Sequence, residues 1–270
     1  MSSDEAGPPA YDHVTVARHD GGHVVELVLD RPEALNALST AMARDIAAAT
    51  GALAADDAVR AVVVSSSAEK AFCVGADLKE RNGFSDADLM AQRPVFRAAF
   101  GGILSLAVPT IAAVHGFALG GGLELALSCD LIVCDETAVL GLPEVTVGVI
   151  PGGGGTQLLT RRLGSSRAAD LVFTGRRVDV EEAWRVGLVD RRVGVGGDRE
   201  AALELGRTIA ANSPVGVRNA KRALRQGSDV DLATGLDVED GAWRATAFSG
   251  DRAEGVAAWG EKRRPDWPGR

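Results

Sequence analysis

Residues 110–134 read TIAAVHGFALGGGLELALSCDLIVC. Thr110 to Val114 is an apolar run without alternation, the pattern of a strand buried on both faces. Gly116 to Gly122 forms a loop whose last three glycines open a helix from about Gly121 to Ser128. Leu131 to Cys134 is a second buried strand. A strand, a helix and another buried strand in succession imply a right-handed crossover within a largely parallel sheet. The same rhythm extends outward. Upstream lie two strand-like runs, 13–18 and 23–29, joined by Asp20, Gly21 and Gly22. An amphipathic helix over 40–54 follows, with Ser39 or Thr40 as its cap. Then come a buried run from Ala61 to Val64, a glycine-bearing loop from Cys73 to Asp77, and a long helical stretch to about Leu106. Downstream of Pro143 and the PGGGG stretch at 151–155 the chain reads as mostly helical, with short strands expected only near 171–173 and 188–193. GVGGD at 194–198 is a loop, and 199–260 reads as three or four helices. The fold class is therefore α/β. The expected organisation is a disordered tail over 1–12, a core over 13–198 and a helical region over 199–270 that serves association or covers the site.

At 270 residues this is one large domain, or one with a small appendage, and it can bury about three quarters of its unfolded surface. Aromatic residues are only 4%, so the core must be built from Val, Leu, Ile and Ala. The formal charge of −8 argues against a global electrostatic grip on nucleic acid. Lys occurs only at 70, 79, 221 and 262, and this bias toward Arg points to a GC-rich, bacterial source. Three cysteines in a chain of this length fit a reducing compartment, so a cytoplasmic location is expected. The first twelve residues, MSSDEAGPPAYD, have neither the basic start nor the apolar stretch of a secretion signal. Residues 98–123 contain no Asp, Glu, Lys or Arg, but six glycines, Pro109 and His115 interrupt them. They read as a buried helix end, a strand and a loop, not as a membrane span.

Several chemistries are excluded by motif. The chain has no G-x-x-x-x-G-K-[ST], no G-x-G-x-x-G after a strand, no G-x-S-x-G, no C-x-x-C and no H-E-x-x-H. His13, His19, His23 and His115 are not at metal-ligand spacing. What remains is carboxylates and glycine-shaped backbone.

Three segments carry that chemistry. In AFCVGADLKE (71–80), Gly75 permits backbone conformations closed to other residues, and the small Ala76 beside it lets a ligand approach its N–H. A plain strand-to-helix loop capped by Asp77 is the alternative. In GFALGGGLELA (116–126), the helix start offers unpaired N–H groups suited to a developing negative charge, and Glu124 lies three residues after Gly121. Glu124 could also be a favourable first-turn acid, although burying a carboxylate among Leu123, Leu125 and Ala126 costs free energy unless it is used. In LGLPEVTVGVIPGGGGTQ (140–157), Glu144 is a second isolated acid, either a solvated loop residue or one of a buried pair whose titrations are pushed apart. His115 is expected to be a structural hydrogen-bonder, and Cys73 and Cys129 inert core thiols. Arg81, Arg93 and Arg97 are read as solvent-facing rather than as partners of a substrate carboxylate.

The segments FCVGADLKE, HGFALGGGLELALSCD and GLPEVTVGVIPGGGGTQ, in this order and spacing, resemble the enoyl-CoA hydratase (crotonase) family. The likeness runs from DRPEALNAL at 30–38 to GDRAEGVAAWGEKRRP at 250–265. It implies a spiral of ββα units with a helical C-terminal trimerisation region, as a homotrimer or a dimer of trimers. ADLKER, IPGGGGTQ and QGSDVDLATGLDVE are similar to the methylglutaconyl-CoA hydratase branch, which acts in leucine breakdown; general 2-enoyl-CoA hydratases act in fatty acid β-oxidation.

The resemblance assigns roles residue by residue. Ala76 and Gly121 match two backbone donors of an oxyanion hole, Glu124 and Glu144 match two catalytic glutamates, and Gly152 matches a donor near the catalytic water. Ala34 and Leu35, the strip Val74, Gly75, Asp77, Leu78 and Lys79, and Lys262 match regions that hold the CoA part, while Leu142 is expected in the acyl pocket. Glu33 stands where some relatives carry a basic residue, so no phosphate contact is expected there. The implied reaction adds water across the 2,3 double bond of a 2-enoyl-CoA to give a 3-hydroxyacyl-CoA. Glu124 deprotonates the water that attacks C3 and Glu144 protonates C2; exchange of these roles stays open. No cofactor is implied beyond the CoA of the substrate. An enoyl-CoA isomerase commonly uses one glutamate, so the presence of both favours hydration. An RNA-binding reading would need a basic row on helix 40–54, which has only Arg44, so the expected partner is an acyl-CoA thioester, not nucleic acid or membrane.

Overall fold

The structure, a computed structural model, describes residues 11–270. β1 (Val14–His19) and β2 (Val24–Leu29) form the antiparallel hairpin expected around Asp20–Gly22. From β2 onward the pairing is parallel: β2 to β3 (Ala61–Ser66), β3 to β5 (Thr110–Val114), β5 to β7 (Leu131–Asp135) and β7 to β10 (Arg191–Val193). The lack of alternation in β3 and β5 has a direct cause. Val62, Val64, Ala112 and Val114 face the main core, while Val63, Ile111 and Ala113 meet Ala202, Leu203 and Leu205 of α8 (Asp198–Ala210). Both faces of the sheet are covered, so neither can be polar.

A second sheet is built from three-residue strands: β4 (Ala71–Cys73), β6 (Phe117–Leu119), β8 (Val139–Gly141) and β9 (Arg177–Asp179). Each of the first three follows a long strand and precedes helical structure, so the chain repeats long strand, short strand, helix. β6 falls inside the stretch read as loop, and β8 and β9 were not anticipated, because three residues carry no measurable period. Conversely, 171–173 is not a strand. It lies in α6 (Ser165–Thr174), where Ala168, Leu171 and Val172 are buried at helical spacing and Phe173 is 77% exposed.

α1 (Thr40–Ala54) begins as expected, with the Ser39 side chain accepting from the Met42 amide. The helical stretch after Lys79 is in fact divided. α2 (Leu78–Arg81) is capped by Asp77, and α3 (Asp86–Ser105) is started anew by a capping box between Ser85 and Asp88. α3 lies against α1, and its end leads through Pro109 into β5. α4 (Gly121–Ser128) is buried along its whole length between the two sheets' contributions and α5 (Gly155–Leu163). α7 (Val180–Val186) joins β9 to β10. No helix among the described residues is long and apolar enough to cross a membrane.

The region after 198 is not uniform. α8 forms the outer layer of the six-stranded sheet, whereas α9 (Pro214–Gly227), α10 (Leu232–Ala247) and α11 (Gly250–Glu261) pack chiefly on one another. α9 is tied to the core by buried Lys221, whose Nζ reaches Asp130 Oδ2 at 2.7 Å and donates to the Val108 carbonyl at 2.8 Å. Of the tail read over 1–12, residues 1–10 lie outside the described residues; the Asp12 amide donates to Asp45 Oδ2 at 3.2 Å and Tyr11 packs on the core.

Candidate active site

The site begins where β4 ends. Gly75 has φ +93°, in the left-handed region that favours glycine, and any side chain there would meet the Leu119 carbonyl oxygen at 2.8 Å and the Gly121 nitrogen at 3.3 Å. The loop is pinned to the preceding turn: Val74 N donates to Leu35 O (3.3 Å), Leu38 N to Gly75 O (2.8 Å) and Asp77 N to Leu38 O (2.9 Å). This pairing consumes the Val74 and Asp77 amides but not that of Ala76 itself. Leu35 follows Ala34 in a one-turn helix and takes φ +51°. Asp77 accepts from the Lys79 and Glu80 amides and pairs with Arg31 at 2.7 Å. Burial would raise its pKa, but the Arg31 guanidinium and these amides hold it below the ordinary carboxylate value.

The second amide comes from the start of α4. Gly120 has φ +53° and turns the chain so that Gly121 is the first helical residue, whose N–H has no intrahelical acceptor. α4 presses its first turn onto β4 so closely that a Cβ at Gly122 would lie 2.0 Å from the Cys73 carbonyl oxygen. That contact sets the Gly121 amide beside the 75–76 loop.

Both acids sit against this pair. Glu124, in the first turn of α4, is 3% exposed. Its Oε1 accepts from the Gly153 amide (2.7 Å) and the Gly155 amide (2.8 Å). Burial raises its pKa, and these two amides together with the charges of Arg93 and Arg81 oppose the rise. Glu144 lies in the single helical turn Pro143–Val147, with Oε1 at 3.0 Å from where a Cβ on Gly120 would stand. Its Oε2 is buried with no hydrogen-bond partner. Burial, followed by the nearby Glu124 charge, pushes its pKa up to about 7. The two carboxyls are therefore electrostatically coupled, and Glu144, which has far less hydrogen-bond support, is the better holder of a proton.

Ala76, Gly121, Glu124 and Glu144 all line one cavity of about 490 Å³, together with Val74, Gly75, Leu78 and Gly152. Other residues assigned from the sequence lie elsewhere. Leu142 is fully buried beneath Gly155. Lys79 is exposed on α2 next to Leu78, and Lys262 is exposed at the C-terminus of α11, outside the cavity lining. The sequence reading missed the Gly153 and Gly155 amides, although a buried carboxylate facing a run of four glycines signals such donors. It also placed Arg81 in solvent, whereas Arg81 is half-buried and lines the cavity; Arg93 lines it too while staying exposed, and Arg97 is exposed. His115 is structural, bonded to Asp198 Oδ2 (3.0 Å) and the Ala68 carbonyl (2.8 Å). Burial pushes the Cys73 and Cys129 thiols up to about 12, which leaves them protonated and unreactive at neutral pH. Among the described residues no cluster of His, Cys, Asp and Glu could hold a metal ion.

Comparison with known proteins agrees with this architecture. The family model Enoyl-CoA hydratase/isomerase matches residues 20–270. The chain is 40% identical over 265 residues to Probable enoyl-CoA hydratase 2, mitochondrial, of Arabidopsis thaliana, covering 98% of this chain and 88% of that protein. It is 42% identical over 250 residues to Methylglutaconyl-CoA hydratase, mitochondrial, of Homo sapiens, covering 91% and 74% respectively. A crystal structure of enoyl-CoA hydratase from Bacillus anthracis superposes with a TM-score of 0.93 at 40% identity, over 96% of this chain and all of that one. With the spiral of two-strand-and-helix units, the paired amides and the full-length match in agreement, the chain belongs to the enoyl-CoA hydratase/isomerase family.

Proposed function

We propose that this protein adds water across the 2,3 double bond of a 2-enoyl-CoA to give the 3-hydroxyacyl-CoA. The observation that carries the reading is the meeting of two uncommitted amides, Ala76 and Gly121, with two coupled carboxyls, Glu124 and Glu144, in one cavity. The thioester oxygen accepts from both amides, which draws electron density from the alkene and makes C3 electrophilic. Glu124, its Oε1 fixed by the Gly153 and Gly155 amides, takes a proton from water as the oxygen bonds to C3. The displaced π-electron pair forms an enolate held by the two amides, each worth roughly 3 kcal/mol in the transition state. Glu144 gives its proton to C2, and proton return from Glu124 through solvent resets the pair. The rise of the Glu144 pKa supports this division of roles. An isomerase would move a proton between carbons with no need for a water between two carboxyls.

The reading uses no cofactor beyond the substrate's CoA. That part lies along Ala34, Leu35 and Val74 to Lys79, with Lys79 and Lys262 offering cations for its phosphates. The protein acts as a homotrimer or a dimer of trimers in a bacterial cytoplasm. The exposed apolar side chains of α10 and α11, among them Trp243 and Trp259, support association, and three free, buried cysteines suit a reducing compartment.

The test follows loss of the conjugated thioester absorbance with crotonyl-CoA. Glu144→Gln and Glu124→Gln are each expected to lower kcat at least ~100-fold with an unchanged circular dichroism spectrum. A folded Glu144→Gln variant near the wild-type rate overturns the assignment.

A further inference from the structure

Arg93, on α3, makes one hydrogen bond among the described residues: its Nη2 donates to the Gly152 carbonyl at 3.1 Å. The contact is close. A Cβ on Gly152 would stand 2.7 Å from Arg93 Nη1, so a side chain there would push the guanidinium off the chain. The carbonyl that Arg93 grips belongs to the same planar peptide unit as the Gly153 amide. That amide donates to Glu124 Oε1 at 2.7 Å. One rigid peptide therefore carries the arginine at its carbonyl end and the candidate base at its amide end.

A cation on the carbonyl oxygen draws charge along the peptide and makes its N–H a stronger donor, because hydrogen bonds in series polarise one another. It also fixes the peptide plane, and with it the direction from which Glu124 Oε1 is held. The other donor to that oxygen, the Gly155 amide at 2.8 Å, is already fixed as the first residue of α5. Gly153 lies in the turn before α5 and has no helix to hold it. The charged groups that share the cavity with Glu124 are Arg81, Arg93 and Glu144. Burial raises the Glu124 pKa; the Gly155 and Gly153 amides lower it, followed by the charges of Arg93 and Arg81. Loss of Arg93 weakens two of these opposing influences at once, its own charge and the Gly153 bond. Since Arg93 is exposed, it adds little to the stability of the fold, and its effect falls on Glu124.

Resting on the hydration reading, we propose that Arg93 is a positioning residue for the base: it clamps the 152–153 peptide by its carbonyl and so aims the Gly153 amide at Glu124 Oε1, which keeps Glu124 turned toward the attacking water. Arg93 itself forms no hydrogen bond to either carboxyl and takes no part in bond making.

The experiment follows the Gly153 amide resonance through pH in protein labelled with nitrogen-15 glycine, where its shift reports protonation of Glu124. The pH profile of crotonyl-CoA hydration is measured beside it. In Arg93→Met the Gly153 titration and the acidic limb of kcat/KM should both move to higher pH, because the base is harder to keep ionised. At neutral pH kcat should fall roughly 10-fold through misalignment. Arg93→Lys keeps the charge and a donor, and should return the titration and the limb most of the way. Arg97→Met removes the same charge from the same helix outside the cavity lining and should match the wild type. All three variants should melt within about 2 °C of the wild type. A wild-type Gly153 titration and kcat in Arg93→Met, or an equal shift in Arg97→Met, overturns the proposal. A Gly153 titration that moves in Arg93→Met, in a protein that never hydrates crotonyl-CoA, leaves the clamp standing and sinks the hydration reading instead.

Discussion

A carboxyl oxygen buried without a partner, as at Glu144 Oε2, is tolerable only while the group is neutral. Its pKa near 7 in the folded chain, against an ordinary 4.5, fixes the sign of the pH dependence. The folded state binds the proton more tightly than the unfolded state. The stabilisation is therefore fully present below about pH 4.5 and is lost as pH rises through 7. Glu144→Gln removes the ionisation, so it should stabilise the protein at pH 8 by on the order of 1–3 kcal/mol after allowance for solvent screening. At pH 4.5 the gain should vanish, and thermal melts at the two pH values check this. An equal shift at both would mean that Glu144 is not the titrating group. For the same reason hydration of crotonyl-CoA should decline as pH rises above about 7. Glu124 and Glu144 were legible in the sequence because a lone acid in an apolar stretch is costly to bury without a use. Their donors were not, since Gly153 and Gly155 reach Glu124 from 29 and 31 residues away. Arg81 was misplaced because an arginine on a half-buried helix looks the same in sequence whether it faces solvent or a cavity.

Among the elements, the contact of α4 with β4 sets where the Gly121 amide stands relative to Gly75 and Ala76. A methyl group at Gly122 would lie 2.0 Å from the Cys73 carbonyl oxygen. The atom it would strike is buried backbone, so no flexible side chain can yield. Gly122→Ala should therefore destabilise the fold by about 3 kcal/mol or more, or leave the protein insoluble. Gly101→Ala, in α3, meets nothing within 4 Å and should be neutral or stabilising by up to about 1 kcal/mol. Denaturant titration of the two variants separates packing from propensity; equal stability would show that α4 and β4 do not touch as described. Elements with a clear period or an unbroken apolar run, such as α1, β3 and β5, were readable from sequence. The three-residue strands β6, β8 and β9 were not, because they are specified by their partners in the second sheet and not by their own residues.

At the scale of the whole molecule, the outermost helices carry apolar surface that the single chain does not cover. Trp243 is 65% exposed, Phe248 90% and Trp259 85%, and a groove of about 720 Å³ runs between α9 and α10. Sedimentation should find a mass three or six times the chain's 27.9 kDa, with Trp259→Asp shifting it toward the monomer. A monomeric wild type at micromolar concentration would contradict the association. What the cavity does to an alkene can be followed atom by atom with isotopes. Crotonyl-CoA incubated with the protein in deuterated, oxygen-18-enriched water and analysed by mass spectrometry should gain oxygen-18 on C3 and one deuterium on C2, both lost in the Glu144→Gln variant. Deuterium exchange into the recovered enoyl thioester with no oxygen-18 incorporation would contradict hydration and identify a proton-transfer isomerase instead.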